Sequence, residues 1–241
     1  MPAKKSIPAA RVSVKADGIG LFLKRVFAIM FGAVALTGIT SWLTMNYGLE
    51  LVFNFQRGGF TPFFYVAMFG GLALSIFAQV RVFSMKPQTG GLLLGIYSVL
   101  IGVVITPLVF SALVVNPASI WQAFFISALM FGCMALFGYK TTKDLGFLGA
   151  FLFIGMIGLI LVGLASMIWP LGSGFATIVC LVGVLIFALF TAYDMQFLKR
   201  AYAEGGDETR NNQLAVLGAL HLYISFIAMF QYILSLLNMR R

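Results

Sequence analysis

Seven long apolar runs, separated by short polar or glycine- and proline-bearing segments, make up most of this chain. They cover about residues 26–46, 61–80, 90–112, 118–138, 145–168, 174–193 and 214–237. Each is close to the ~20 residues an α-helix needs to cross the hydrocarbon core of a bilayer. None shows the period-two alternation of a membrane barrel strand. Backbone amides at membrane depth must then be satisfied within helices, and the pattern predicts an all-α, polytopic bundle of seven transmembrane helices. Gly58, Gly59 and Pro62 punctuate the entry to the second run, Pro87 the approach to the third, Pro117 the entry to the fourth, and Pro170, Gly172 and Gly174 the entry to the sixth. Thr106-Pro107 falls inside the third run, where the missing amide donor predicts a kink that neighbouring helices tolerate. The connections are short, so residues 26–241 read as one bundle domain behind a basic tail, residues 1–25.

The seventh run has a finer pattern. Gly218, His221, Ser225, Ala228, Tyr232 and Ser235 recur at spacings of three and four and share one helical face. Leu220, Ile224, Ile227 and Leu234 lie off it. Close helix contacts in lipid use small and hydroxylated residues, because no hydrophobic drive separates one helix from a neighbour there. The stripe predicts a buried last helix, central in the bundle. A single GxxxG, Gly91 and Gly95, opens the third run and reads as ordinary close packing.

Composition removes the soluble alternatives. Hydrophobic residues are 61% and charged residues 10%, with mean hydropathy +1.01, against roughly 45–50% and about 25% in soluble domains. The net charge of +9 sits in the connecting segments, not on a surface helix or an aromatic-lined groove, which argues against a nucleic-acid partner. Of 16 Lys and Arg, six lie in the tail, two between runs two and three, two between four and five, and three between six and seven. The positive-inside rule then predicts a cytosolic N-terminus and, after seven crossings, an external C-terminus. Arg57 and the terminal Arg240 and Arg241 stand against this bias; a re-entrant last run would return the C-terminus to the cytosol. The tail precedes a run too long for a signal-peptide core, so it reads as a cytosolic tail and not a cleaved leader. Cys133 and Cys180 sit in apolar runs without a metal-ligand spacing and read as small hydrophobes.

Ionisable groups at membrane depth are functional candidates by default, because a charge there costs about 2.5–3.5 kcal/mol on insertion scales. Asp194 closes the sixth run. It reads either as a solvated carboxylate at a helix end or as one turned inward towards a basic partner. Arg81 ends the second run at the same expected side, and either snorkels to lipid phosphates or pairs with Asp194. His221, the sole histidine, is either a hydrogen-bonded packing residue or a proton-responsive group. Nucleotide-binding, metalloprotease and serine-hydrolase signatures are absent, which points away from an enzyme and implies no cofactor.

Five segments together resemble the bacterial branch of the Bax inhibitor-1 family: Arg81 to Met85 (RVFSM), Tyr139 to Leu145 (YKTTKDL), Thr191 to Gln196 (TAYDMQ), Tyr202 to Gly205 (YAEG) and Gly218 to Phe230 (GALHLYISFIAMF). The resemblance implies a last helix wrapped by the other six and a bacterial inner-membrane location. It also implies a function class: a pH-sensitive calcium leak, with Ca²⁺ as the ion, or a regulator that partners a membrane-anchored ATP-dependent protease. In the leak, two aspartates on the last two helices share a proton and, with a basic group, latch a pore. Asp194 matches the first aspartate and Arg81 the basic position. The second aspartate is Ser225 here, so half of that device is missing. His221 lies four residues before Ser225 on the same face, and the expectation is that Asp194 and His221 form an oppositely charged pair in its place. Two expectations follow: a cation leak gated around Asp194, Arg81, His221 and Ser225, or a non-conducting regulator with a basic cytosolic tail.

Overall fold

The computed structural model describes residues 9–54, 58–166, 168–169 and 172–239, with side chains from residue 18 onward except that of Val82; Arg57, Pro170, Arg240 and Arg241 lie outside these residues. The chain forms α1 (Ala9–Tyr47), a short α2 (Leu49–Val52), the two-residue strands β1 (Phe53–Asn54) and β2 (Gly59–Phe60), α3 (Pro62–Arg81), α4 (Pro87–Val115), α5 (Ala118–Lys140), α6 (Gly146–Ser166), α7 (Ser173–Ala203) and α8 (Glu208–Met239). Seven of these helices are long and apolar enough to cross a membrane. The two strands pair as a minimal antiparallel hairpin outside the bundle, with Phe53 opposite Phe60.

Helix bounds differ from the apolar runs at their polar ends. The boundary expected at residue 25 falls inside α1, where Phe22 is buried and stacks on Tyr202 with ring centroids 4.7 Å apart. α4 runs through Pro107 unbroken, with the Thr106 hydroxyl donating to the Gly102 carbonyl at 2.8 Å. α7 continues about nine residues past Asp194 and stops near Gly205, whose φ of 85° is the left-handed conformation that ends helices and favours glycine. Residues 195–203 mix Lys199 and Arg200 with Met195, Phe197 and Leu198, so hydropathy falls while helical periodicity persists.

Charge separates the two ends of the bundle. Lys24, Arg25, Arg81, Lys86, Lys140, Lys143, Lys199, Arg200 and Arg210 all lie at the end where α7 turns into α8, and among the described residues no Lys or Arg lies at the other. The opposite end carries the three tryptophans, Trp42, Trp121 and Trp169, all exposed, as expected of an aromatic belt at a membrane interface.

α8 is the most enclosed helix: 72% of its apolar stretch is buried, against 11–39% in the other six. It packs on α1, α4, α5 and α7. α3 and α6 do not belong to that ring; α3 leans on α4 and α6 on α7. The expected sheath of six is therefore four helices in contact with α8 and two outside. A fully buried set including Met30, Leu152, Leu198, Leu222, Tyr223 and Met229 fills the centre. Tyr223 sits off the small-residue stripe, and its hydroxyl meets Thr37 at 2.6 Å, while Thr37 donates towards the Ser98 and Ala33 carbonyls. That cluster fastens α1, α4 and α8 at mid-depth, since a hydroxyl in hydrocarbon is costly unless bonded.

Candidate functional site

The stripe on α8 is the seam with α7. The two helices run antiparallel and each offers a glycine to the other's large side chain. Leu198 of α7 fills the space beside Gly218, where an added Cβ would lie 2.5 Å from its Cδ2. Tyr232 of α8 fills the space beside Gly183, 2.6 Å from a built Cβ, and stacks on Phe187. These reciprocal fits set the axial register of the seam. In that register Asp194 meets His221.

The Asp194 Oδ1 lies 3.4 Å from His221 Nδ1. The Asp194 side chain is 6% exposed and that of His221 26%, so the carboxylate is enclosed while the imidazole keeps a path to protons. The reading of Asp194 as a solvated helix-end carboxylate fails because α7 does not end there. Arg81 is not its partner: it stands exposed at the end of α3, an outer helix, and forms no ion pair with Asp194. Ser225 is buried one turn further along α8; the seam's register sets it opposite Thr191, whose hydroxyl is bonded to the Phe187 carbonyl at 2.9 Å. Of the four residues expected to form the site, the fold joins Asp194 to His221, sets Ser225 beside them and leaves Arg81 apart. Among the described residues no three His, Cys, Asp or Glu converge as a metal site would require.

The motifs around this pair act as fastenings. Buried Gln196 accepts the Leu145 amide at 2.8 Å and donates to the Lys143 carbonyl at 2.7 Å, tying α7 to the α5–α6 connection. The Lys199 ammonium donates to the Tyr139 carbonyl at 2.9 Å and lies 5.2 Å from the Tyr139 ring centroid, a cation at the negative end of α5. Arg200 pairs with Asp144 at 2.7 Å. The Gly146 amide and then Arg200 hold the Asp144 carboxyl below its ordinary range. On the other side, Gln213 of α8 donates to the Met85 carbonyl at 2.7 Å, fixing the RVFSM turn. Sequence reasoning read Gln196 only as part of a motif and did not single out Gln213; two polar side chains just outside apolar runs were the available signal. Replacing Gln196 by Ala strands one amide and one carbonyl, which costs about 1–3 kcal/mol. The expected readouts are a lower melting temperature and faster amide exchange at Leu145; unchanged exchange there would show that the tie is incidental.

Residues 20–241 match the family described as inhibitor of apoptosis-promoting Bax1. Similar proteins include an uncharacterized protein of Caulobacter vibrioides, 35% identical with 96% of this chain and 94% of that protein aligned. RP147 of Rickettsia prowazekii, also uncharacterized, is 32% identical over 93% of this chain and 92% of its own length. The inner membrane protein YbhL of Escherichia coli K12 is 30% identical over 93% of this chain and 94% of its own. With seven membrane-length helices and a match from the first of them to the C-terminus, the chain belongs to the Bax inhibitor-1 family and is a multi-pass protein of the bacterial inner membrane.

Proposed function

We propose that this protein is a pH-influenced cation leak, with Ca²⁺ the ion suggested by its family, in which the Asp194–His221 pair is the latch between α7 and α8. The observation that carries the reading is an enclosed carboxylate bridged to a partly exposed imidazole across the closely packed α7–α8 seam. A protonated imidazole attracts the carboxylate and holds the seam shut; a neutral one loses the Coulombic part of that hold. A latch of two aspartates responds to the proton they share, whereas this one responds to the imidazole, so Ser225 in place of an aspartate changes the device without abolishing it. On this reading the arrangement is closed: clefts of about 640 and 480 Å³, lined mainly by apolar side chains, reach neither Asp194 nor His221.

The same apolar clefts favour the second reading, a non-conducting regulator that engages a membrane-anchored protease. Flux of Ca²⁺ from liposomes holding the pure protein separates the two. On the leak reading, flux rises with pH, and Asp194→Asn and His221→Ala each raise it and flatten its pH profile. No flux, or flux indifferent to both substitutions, favours the regulator.

A further inference from the structure

α1 and α5 both pack on α8 and touch each other only sparingly, as at the edge-to-face pair Phe27–Phe131 with ring centroids 6.4 Å apart. The gap between them is a lateral crevice made of the two apolar clefts, which share Phe31 on one wall and Phe226 on the floor. It therefore runs along most of the membrane depth. Phe131, Phe124 and Phe226 form edge-to-face contacts at its floor, with centroids 5.7 and 5.8 Å apart for the two pairs that include Phe226. Gly38 on α1 and Gly132 on α5 line opposite walls, and a Cβ built on either meets nothing within 4 Å.

Size favours one occupant. A helix about 10 Å across with a 5.4 Å pitch fills about 420 Å³ per turn, so the two clefts of 640 and 480 Å³ hold fewer than three turns of a partner helix, short of the roughly five or six that cross a bilayer. A methylene fills about the space of a water molecule, about 30 Å³, so the same clefts accept a long acyl chain.

Charge at the mouth agrees. Lys24 precedes Phe31 by seven residues and so shares its face of α1, and Lys140 follows Leu136, which lines the crevice, by four. Lys199 sits between them on the Tyr139 ring, with one of its three N–H groups bonded to a carbonyl and two left over. None of the three forms an ion pair among the described residues, whereas two arginines of this end do, Arg200 with Asp144 and Arg210 with Glu204, and Arg25 is bonded to Asn212. The remaining acids nearby are engaged elsewhere, Asp207 by the Arg210 amide and Glu208 in the separate cleft between α1 and α8.

We propose that the α1–α5 crevice binds one anionic phospholipid from the leaflet at the basic end, with an acyl chain along the groove and the phosphate held by Lys24, Lys140 and Lys199. The test is native mass spectrometry of the full chain in detergent, titrated with dioleoyl phosphatidylglycerol or dioleoyl phosphatidylcholine. One phosphatidylglycerol is retained in preference to phosphatidylcholine. The K24Q/K140Q double variant reduces that preference about ten- to thirtyfold, as two near-surface lysines predict. Gly38→Leu and Gly132→Leu, each filling empty space, lower retention of both lipids while the melting curve stays in place. Equal retention of the two lipids by the wild type, retention that ignores both glycine substitutions, or a second protein chain persisting where lipid is expected would each overturn the proposal. If one leucine variant fails to fold, the other and the lysine pair still decide.

Discussion

Gly138→Ala lowers the melting temperature of the purified bundle by about 6–12 °C, while Gly132→Ala, on the same helix, leaves it unchanged or slightly raised. A Cβ at Gly138 would lie 2.1 Å from the Ala192 carbonyl oxygen and 2.7 Å from its Cα. Those atoms are backbone of α7, so no rotamer change makes room and the two helices must part. Overpacking costs typically 1–3 kcal/mol and more where the neighbour cannot yield; about 3 kcal/mol corresponds to the stated shift in a chain of this size. At Gly132 nothing lies within 4 Å, and alanine gains about 1 kcal/mol of helix propensity over glycine. Because Ala192 is two residues from Asp194, parting α5 from α7 also disturbs the latch, and Gly138→Ala is expected to share the altered pH profile of the latch variants. Equal melting temperatures for the two alanine variants would show that α5 and α7 are not held at this distance.

The second large effect is the coupling of Asp194 to His221. His221→Ala leaves a carboxylate enclosed without its partner, which costs about 3–5 kcal/mol in buried pairs; the lower end applies here because the His221 side chain is 26% exposed. Asp194→Asn removes the charge and keeps the shape, so it costs less. The double variant D194N/H221A regains most of the loss, because no charge remains to be stranded, and the cycle returns a coupling of about 1–3 kcal/mol. Thermal or denaturant unfolding of the four proteins at neutral pH measures it. Strictly additive effects would mean that the 3.4 Å approach carries no energy, and the latch would go with it.

Much of the site lay within reach of sequence. Asp194 and His221 stood out because ionisable side chains are rare in apolar runs, and their pairing was suggested by the family resemblance, which expects a second aspartate where Ser225 stands, one turn from His221. Arg81 illustrates what a list of residues lacks. It sits at the correct end of the chain's topology, but α3 is an outer helix, and nothing in its own run distinguishes an outer helix from an inner one. α6 repeats the lesson: its stretch is among the most hydropathic of the seven, at 2.6, yet it lies outside the ring around α8. In lipid a strongly apolar helix can face the acyl chains as readily as a neighbour, so hydropathy does not report burial.

What the sequence by itself determined is the class of structure: seven membrane-length helices, a basic end, and a last helix marked for close packing. These follow from local properties, apolar length against bilayer thickness and the placement of Lys and Arg, which need no knowledge of neighbours. Tertiary structure alone decided that α7 overshoots its apolar run, that Asp194 is enclosed and meets His221 rather than Arg81, and that a crevice opens between α1 and α5 over α8. Each of these depends on which surfaces fit: Leu198 beside Gly218, Tyr232 beside Gly183 and Ala192 against Gly138. Such fits are properties of pairs of helices, and the period of a single run does not contain them.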